Sequence, residues 1–322
     1  MSRSTRVQFH APQRSGNPAQ HYDRQGRHLD WLIDLREKLL NGLSGIKSGD
    51  VLNVIPAGSL PEIGGDLAAD LKRALDRIKS AAIDESGAHV DYATLRASAA
   101  YQEFRRVCSP HLRTFDPAEM TYAGQMAFWI NLYNALVMDA VIAFNVHHSV
   151  GEGRLGRLTF FRRAAYNVAG LRVSLDDIEH GILRDSRGHP FLPGPHFTSK
   201  DARLTWVLPL DPRVHFALNC ASRSCPPIQV YSADQLEAQL DLAAHNFVSG
   251  NMKLNPDSRI LVVSSIFKWF EDDFGGRMGV IKFLVGHLPA DDRQAWISQN
   301  RNTIRLKYEP YDWGLNTAEF LR

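Results

Sequence analysis

Two cysteines, Cys220 and Cys225, flank Arg223 and Ser224 and run into Pro226 and Pro227, with His215 five residues upstream of the first thiol. A cysteine attacks carbon only as its thiolate, whose share grows beside a cation or at a helix N-terminus. Arg223 supplies a nearby cation. Pro226 fits a first helical position, which would leave Cys225 at the cap, and it also biases Cys225 toward extended backbone. The chemistry these residue types suit is nucleophilic catalysis, with Cys225 as nucleophile and His215 as general base. Cys220 has no adjacent cation and reads as a buried structural thiol.

A second cluster is Asp176, His180 and Arg184, one helical turn apart and therefore on one face. This stripe could orient an imidazole, hold a substrate carboxylate, or form an exposed ion-pair ladder. Asn131 and Asn134 fall three apart in an apolar stretch, where an amide without partners is costly, so each needs a hydrogen bond. Structural glue is the first reading of both, while Asn131 or Asp176 could also orient a catalytic histidine. Glu271, Asp272 and Asp273 read as a helix face and its end. His180, His215, Cys220 and Cys225 could be combined around a metal, but H-x4-C-x4-C is not a standard zinc spacing, and neither a metal nor an organic cofactor is expected.

Elements must carry these side chains. Met126–Phe144 lies in a stretch, from about residue 118, that is hydrophobic nearly all round, which predicts a buried central helix. It is long enough to span a bilayer, but Asp139 alone would cost about 2.5 to 3.5 kcal/mol there, so no membrane span is expected. Leu29, Leu32, Leu35 and Leu39 have roughly helical spacing, as do Leu67, Leu71, Leu75 and Ile78, and residues 91–107 also read as helix. These N-terminal helices are expected to be packing elements. Ser174 with Asp177, and Ser232 with Gln235, are capping-box patterns. Residues 166–173 and 259–263 read as strands. Residues 213–219 alternate, with Val214, Phe216 and Leu218 on one side and His215, Ala217 and Asn219 on the other, which predicts a third strand. Along such a strand His215 sits about 13 Å from Asn219, so the loop must fold back to bring Cys225 to the imidazole.

A chain of 322 residues with 44% apolar content has ample core material. Lys plus Arg number 37 against 35 acidic residues, a net charge of +2 that gives no electrostatic footprint for nucleic acid. Three cysteines without framework spacing point to a reducing, cytoplasmic setting. Residues 1–28 read as a flexible polar tail without a secretory h-region, residues 29–115 as a helical region packed on the main domain, and residues 116–322 as the core. No phosphate loop, repeat or H-E-x-x-H pair is present.

Five blocks, AFWINLYNAL (127–136), VSLDDIEHGILR (173–184), VHFALNCASRSCPPI (214–228), SSIFKWFEDDFG (264–275) and YDWGLN (311–316), resemble successive blocks of the domain of unknown function 547 family. The resemblance brings no reaction with it. Plant members of that family are often joined to leucine-zipper segments, which implies a protein partner, but this chain has no comparable heptad run.

The expected fold is therefore α+β, with a long buried central helix on a small, mainly antiparallel sheet and added N-terminal helices. The expected function is that of a thiol-dependent hydrolase or acyl transferase acting on a small molecule or peptide. Its site residues are Cys225, His215, Asn131, His180, Asp176 and Arg184. A non-catalytic interaction module and a His/Cys metal-binding protein are the competing readings.

Overall fold

The computed structural model describes residues 30–54, 65–152 and 156–318, so the tail expected over residues 1–28, and Leu29, lie outside the described residues. The fold is α+β and is organised around the helix Tyr122–Ala143, which starts where the Thr121 side chain accepts the Gly124 N–H at 3.2 Å. This helix is long and apolar enough to cross a bilayer, and 89% of its most apolar window is buried inside the protein. Its one charged residue is fully matched. Asp139 accepts from the Tyr101 hydroxyl at 2.6 Å, the Tyr166 hydroxyl at 2.8 Å and the Arg105 guanidinium at 2.7 Å. Three donors around a carboxylate at 0% exposure offset the desolvation that would otherwise expel it.

Helix Leu67–Ala82 packs on the central helix through the predicted stripe of Leu67, Leu71, Leu75 and Ile78, and Asp66 caps it at the Ala69 N–H. Helix Asp30–Leu43 does the reverse of what its leucine spacing suggests. Trp31, Leu35 and Leu39 are 63%, 47% and 57% exposed, and Ile33 is its one buried residue. The polar side faces inward instead: Arg162 grips Glu37 at 2.6 and 3.1 Å, Asp30 accepts from Ser199, and Arg36 donates to the carbonyls of Pro193 and Pro195.

Among the described residues there are two small sheets. Strands β1 (Ala165–Val168) and β2 (Leu171–Ser174) form an antiparallel hairpin, so the single strand expected over 166–173 is two strands around a turn at Ala169 and Gly170. Strand β3 (Lys253–Asn255) pairs antiparallel with β4 (Ile260–Ser264), which pairs in parallel with β5 (Arg305–Glu309). One apolar cluster surrounds the central helix. A second, containing Phe216, Phe267, Phe274 and Phe283, lies between the three-stranded sheet and helices Leu236–Gly250 and Gly276–His287.

The strand expected over 213–219 is absent. Pro212–Phe216 is a 3-10 turn capped by Asp211, followed by an irregular segment. Its alternation is misleading because Val214 through Asn219 are all buried, so both sides face protein and the pattern does not identify a strand. Nor does a helix begin at Pro226, since residues 225–231 are irregular.

Candidate functional site

The loop carrying the two thiols is shaped by amides. Asn134, on the central helix, donates to the Ala217 carbonyl at 3.0 Å and accepts the Asn219 N–H at 2.9 Å. Asn219 in turn donates to the Pro226 carbonyl at 2.7 Å and accepts the Ala221 N–H at 2.8 Å, which closes the turn between them. Ala221 takes a left-handed φ of 61°, unusual for a residue with a Cβ and supported by those flanking bonds. The C-terminal segment docks beside it through Arg223 N–H to Gly314 O at 2.9 Å and Asn316 N–H to Ala221 O at 3.1 Å, and so delivers Tyr311 to the thiols.

Three groups lie within hydrogen-bond reach of the Cys225 sulfur. The Cys220 backbone N–H approaches at 3.0 Å, the Ser222 hydroxyl at 3.2 Å and the Tyr311 hydroxyl at 3.2 Å. Burial pushes this thiol up, but hydrogen bonds from the Cys220 thiol, Ser222 and Tyr311 outweigh it and bring it down to about 7. Cys220 moves the opposite way, raised by its hydrogen bond to Cys225 and by burial, so it stays a donor beside its neighbour's thiolate. The arginine that the sequence offered as the activating cation points elsewhere: Arg223 pairs with Asp312 at 3.5 Å.

Cys225 and Cys220 line a cleft of about 490 Å³ together with His215, His180, Asp176 and Glu179. His215 stacks on Phe270 at 4.1 Å, and its Nε2 meets Asp273 at 2.9 Å. Burial pushes Asp273 up, yet its bonds to His215 and Arg184 hold it well below the usual carboxylate range. As a carboxylate it accepts, so Nε2 of His215 carries the proton and Nδ1 is left as a base. Burial also lowers His215, which keeps the ring neutral.

The stripe Asp176, His180 and Arg184 is buried rather than an exposed ladder, and it lies on or beside the π-helix Asp177–Leu183. The Ser174–Asp177 capping box at its start forms as expected, at 2.8 and 3.2 Å. The box expected of Ser232 and Gln235 does not form; helix Leu236–Gly250 starts after Gln235, which makes no side-chain cap. Arg184 donates to His180 Nδ1 at 2.9 Å and to the Gly188 carbonyl at 2.7 Å. Arginine has no acceptor, so His180 must hold its proton on Nε2, the nitrogen that faces Asp176 at 3.9 Å. Burial and then Arg184 depress His180 well below its ordinary value, so it is a neutral donor. Burial raises Asp176 to about 8 against the pull of Arg162, so it is protonated at neutral pH. Burial likewise raises Glu179, which accepts from Tyr133 at 2.9 Å.

Of the residues named from sequence, Cys225, His215, His180 and Asp176 share the cleft and Arg184 stands behind it. Cys225 and His215 are not hydrogen-bonded to each other among the described residues. Asn131 is brought elsewhere: its amide bonds both the N–H and the carbonyl of Tyr231, at 2.9 and 2.8 Å, and it does not line the cleft. Asp273, which reads in the sequence as part of a helix face and its end, stands where an orienting residue would; Cys220, which reads as a structural thiol, lines the cleft, and Tyr311 is not among the site residues named from sequence. The only local hint to Asp273 is a carboxylate run beside Phe270. Among the described residues, no group of three or more His, Cys, Asp or Glu side chains converges as metal ligands would.

Residues 117–248 match the family model described as Protein of unknown function, DUF547, which covers the central helix, the hairpin, the buried stripe and the thiol loop. No curated protein and no solved structure matches the chain.

Proposed function

We propose that this chain, a member of the DUF547 family, is a thiol-dependent hydrolase or acyl transferase with Cys225 as its nucleophile. The observation that carries this reading is the Cys225 sulfur in the cleft, held by a backbone N–H and two hydroxyls that favour the thiolate. In the first step the thiolate bonds to a carbonyl carbon and the C=O pair moves to oxygen, which accepts from the Nε2–H of His180. Collapse expels the leaving group, which takes the proton of Asp176, and a thioester remains on Cys225. In the second step the Nδ1 of His215 removes a proton from water, or from an acceptor's hydroxyl or amine, as that oxygen or nitrogen attacks the thioester. The thiolate departs unprotonated, and the proton on His215 returns to Asp176 through solvent. Asp273 orients His215 throughout, as the carboxylate of a triad does.

Mass spectrometry after brief exposure to an activated acyl ester tests this reading. The expected result is one acyl group on Cys225, absent from Cys225→Ser and accumulating in His215→Ala because its removal is slowed. An intact native protein that takes up no acyl group at Cys225 would contradict it, and would leave the cleft to a non-catalytic role.

A further inference from the structure

An aromatic shelf leads away from the thiol and ends at a cation. The Tyr311 hydroxyl touches Cys225 at 3.2 Å, its ring lies 4.6 Å from that of Trp313, and Trp313 stacks on Trp269 at 5.5 Å. The guanidinium of Arg157 lies over the indole of Trp313, 3.9 Å from its centroid. All four residues line the cleft. Arg157 is exposed, and no carboxylate partner for it is seen among the described residues. The other charged groups in and behind the cleft are already committed: Arg184 to Asp273, Glu179 to Tyr133, and Asp176 protonated beside Arg162. Stacking occupies the face of a guanidinium and leaves its edge N–H groups to form a fork that matches a carboxylate.

We propose that the cleft takes an acyl substrate that carries a carboxylate at a distance from its reacting carbonyl, with the intervening apolar or planar segment on Trp313 and Trp269 and the carboxylate on Arg157. The inference rests on the reading of Cys225 as nucleophile and adds the substrate class. A single arginine suits one carboxylate better than a phosphate cluster, which would call for further cations on the shelf.

The test uses thiol-directed probes of graded length on the full chain: N-iodoacetyl ω-amino acids, each compared with its neutral methylamide. At the chain length that spans the shelf, the acid should alkylate Cys225 roughly tenfold faster than the amide, the worth of one charge-assisted hydrogen bond. In Arg157→Gln the ratio should fall to that of a free thiol in solution, with an unchanged melting profile showing the fold intact. Equal acid-to-amide ratios in the native chain and in Arg157→Gln would overturn the substrate class and leave the thiolate reading standing. Failure of every probe to label Cys225 in the folded protein would overturn both.

Discussion

Arg184 binds both oxygens of Asp273, at 2.6 and 3.1 Å, although 89 residues of chain separate them. The same guanidinium donates to His180 Nδ1, and the same carboxylate accepts from His215 Nε2, so one buried ion pair fixes both rings as the Nε2–H tautomer while engaging opposite nitrogens. His180 is left as a proton-bearing donor and His215 as a base.

Asp273→Asn should therefore spare folding more than it spares chemistry. An amide in that place can donate to Nε2 and move the His215 proton to Nδ1, which removes the base. Deacylation should slow by about a hundredfold to ten-thousandfold, as for an orienting carboxylate lost from a triad, while acylation changes far less. Nitrogen-15 spectra of the imidazole should report the tautomer change; an unchanged tautomer with normal deacylation would refute the role.

The low Asp273 and the high Asp176 act on stability in different pH ranges. Asp273 is depressed in the fold, so its contribution is complete above the unfolded carboxylate value of about 4 and is lost as pH falls below it. Asp176 is raised to about 8, so its contribution is complete below about 4 and is lost as pH rises from there to about 8. Melting temperatures of Asp176→Asn relative to the native chain should rise steadily across that second window and level off above it. A difference independent of pH would show that Asp176 ionises freely in the fold.

Asn131 and Asn134 should separate structure from function. Asn131→Ala strands the backbone groups of Tyr231 and should cost about 1–3 kcal/mol while leaving the Cys225 titration where it is. Asn134→Ala strands Ala217 and Asn219, the base of the thiol loop, and should both destabilise the protein and move that titration upward. Denaturant melts read together with alkylation profiles distinguish the two.

Helix Asp30–Leu43 gives a contrast in stability alone. Leu35→Gln and Leu39→Gln, on the exposed stripe, should change stability by no more than about 0.5 kcal/mol. Glu37→Gln weakens a bidentate partner of the buried Arg162 and should cost about 1–3 kcal/mol. A large loss from the leucine changes would mean that the stripe is covered in solution.

These contrasts mark where sequence patterns carry information. The central helix, the leucine stripe from Leu67 to Ile78 and the Ser174–Asp177 box were legible because each is a local signal of period or spacing. The Leu32, Leu35 and Leu39 stripe has the same period but faces solvent, because Arg162, Ser199 and two proline carbonyls hold the polar side. Residues 213–219 look like a strand only if one side is wet, and neither is. Cys225, His215, His180 and Asp176 could be named from residue chemistry, but Asp273 and Tyr311 reach the site across 58 and 86 residues, and no spacing rule foretells such a pairing.

The proposed chemistry depends on the state of one sulfur. The rate of iodoacetamide alkylation at Cys225, followed across pH on the folded protein, should titrate with a midpoint near 7. Tyr311→Phe, or Cys220→Ala, should shift that midpoint upward by about one unit, the worth of one lost hydrogen bond. A midpoint at or above that of an ordinary thiol, or labelling only after unfolding, would contradict the account.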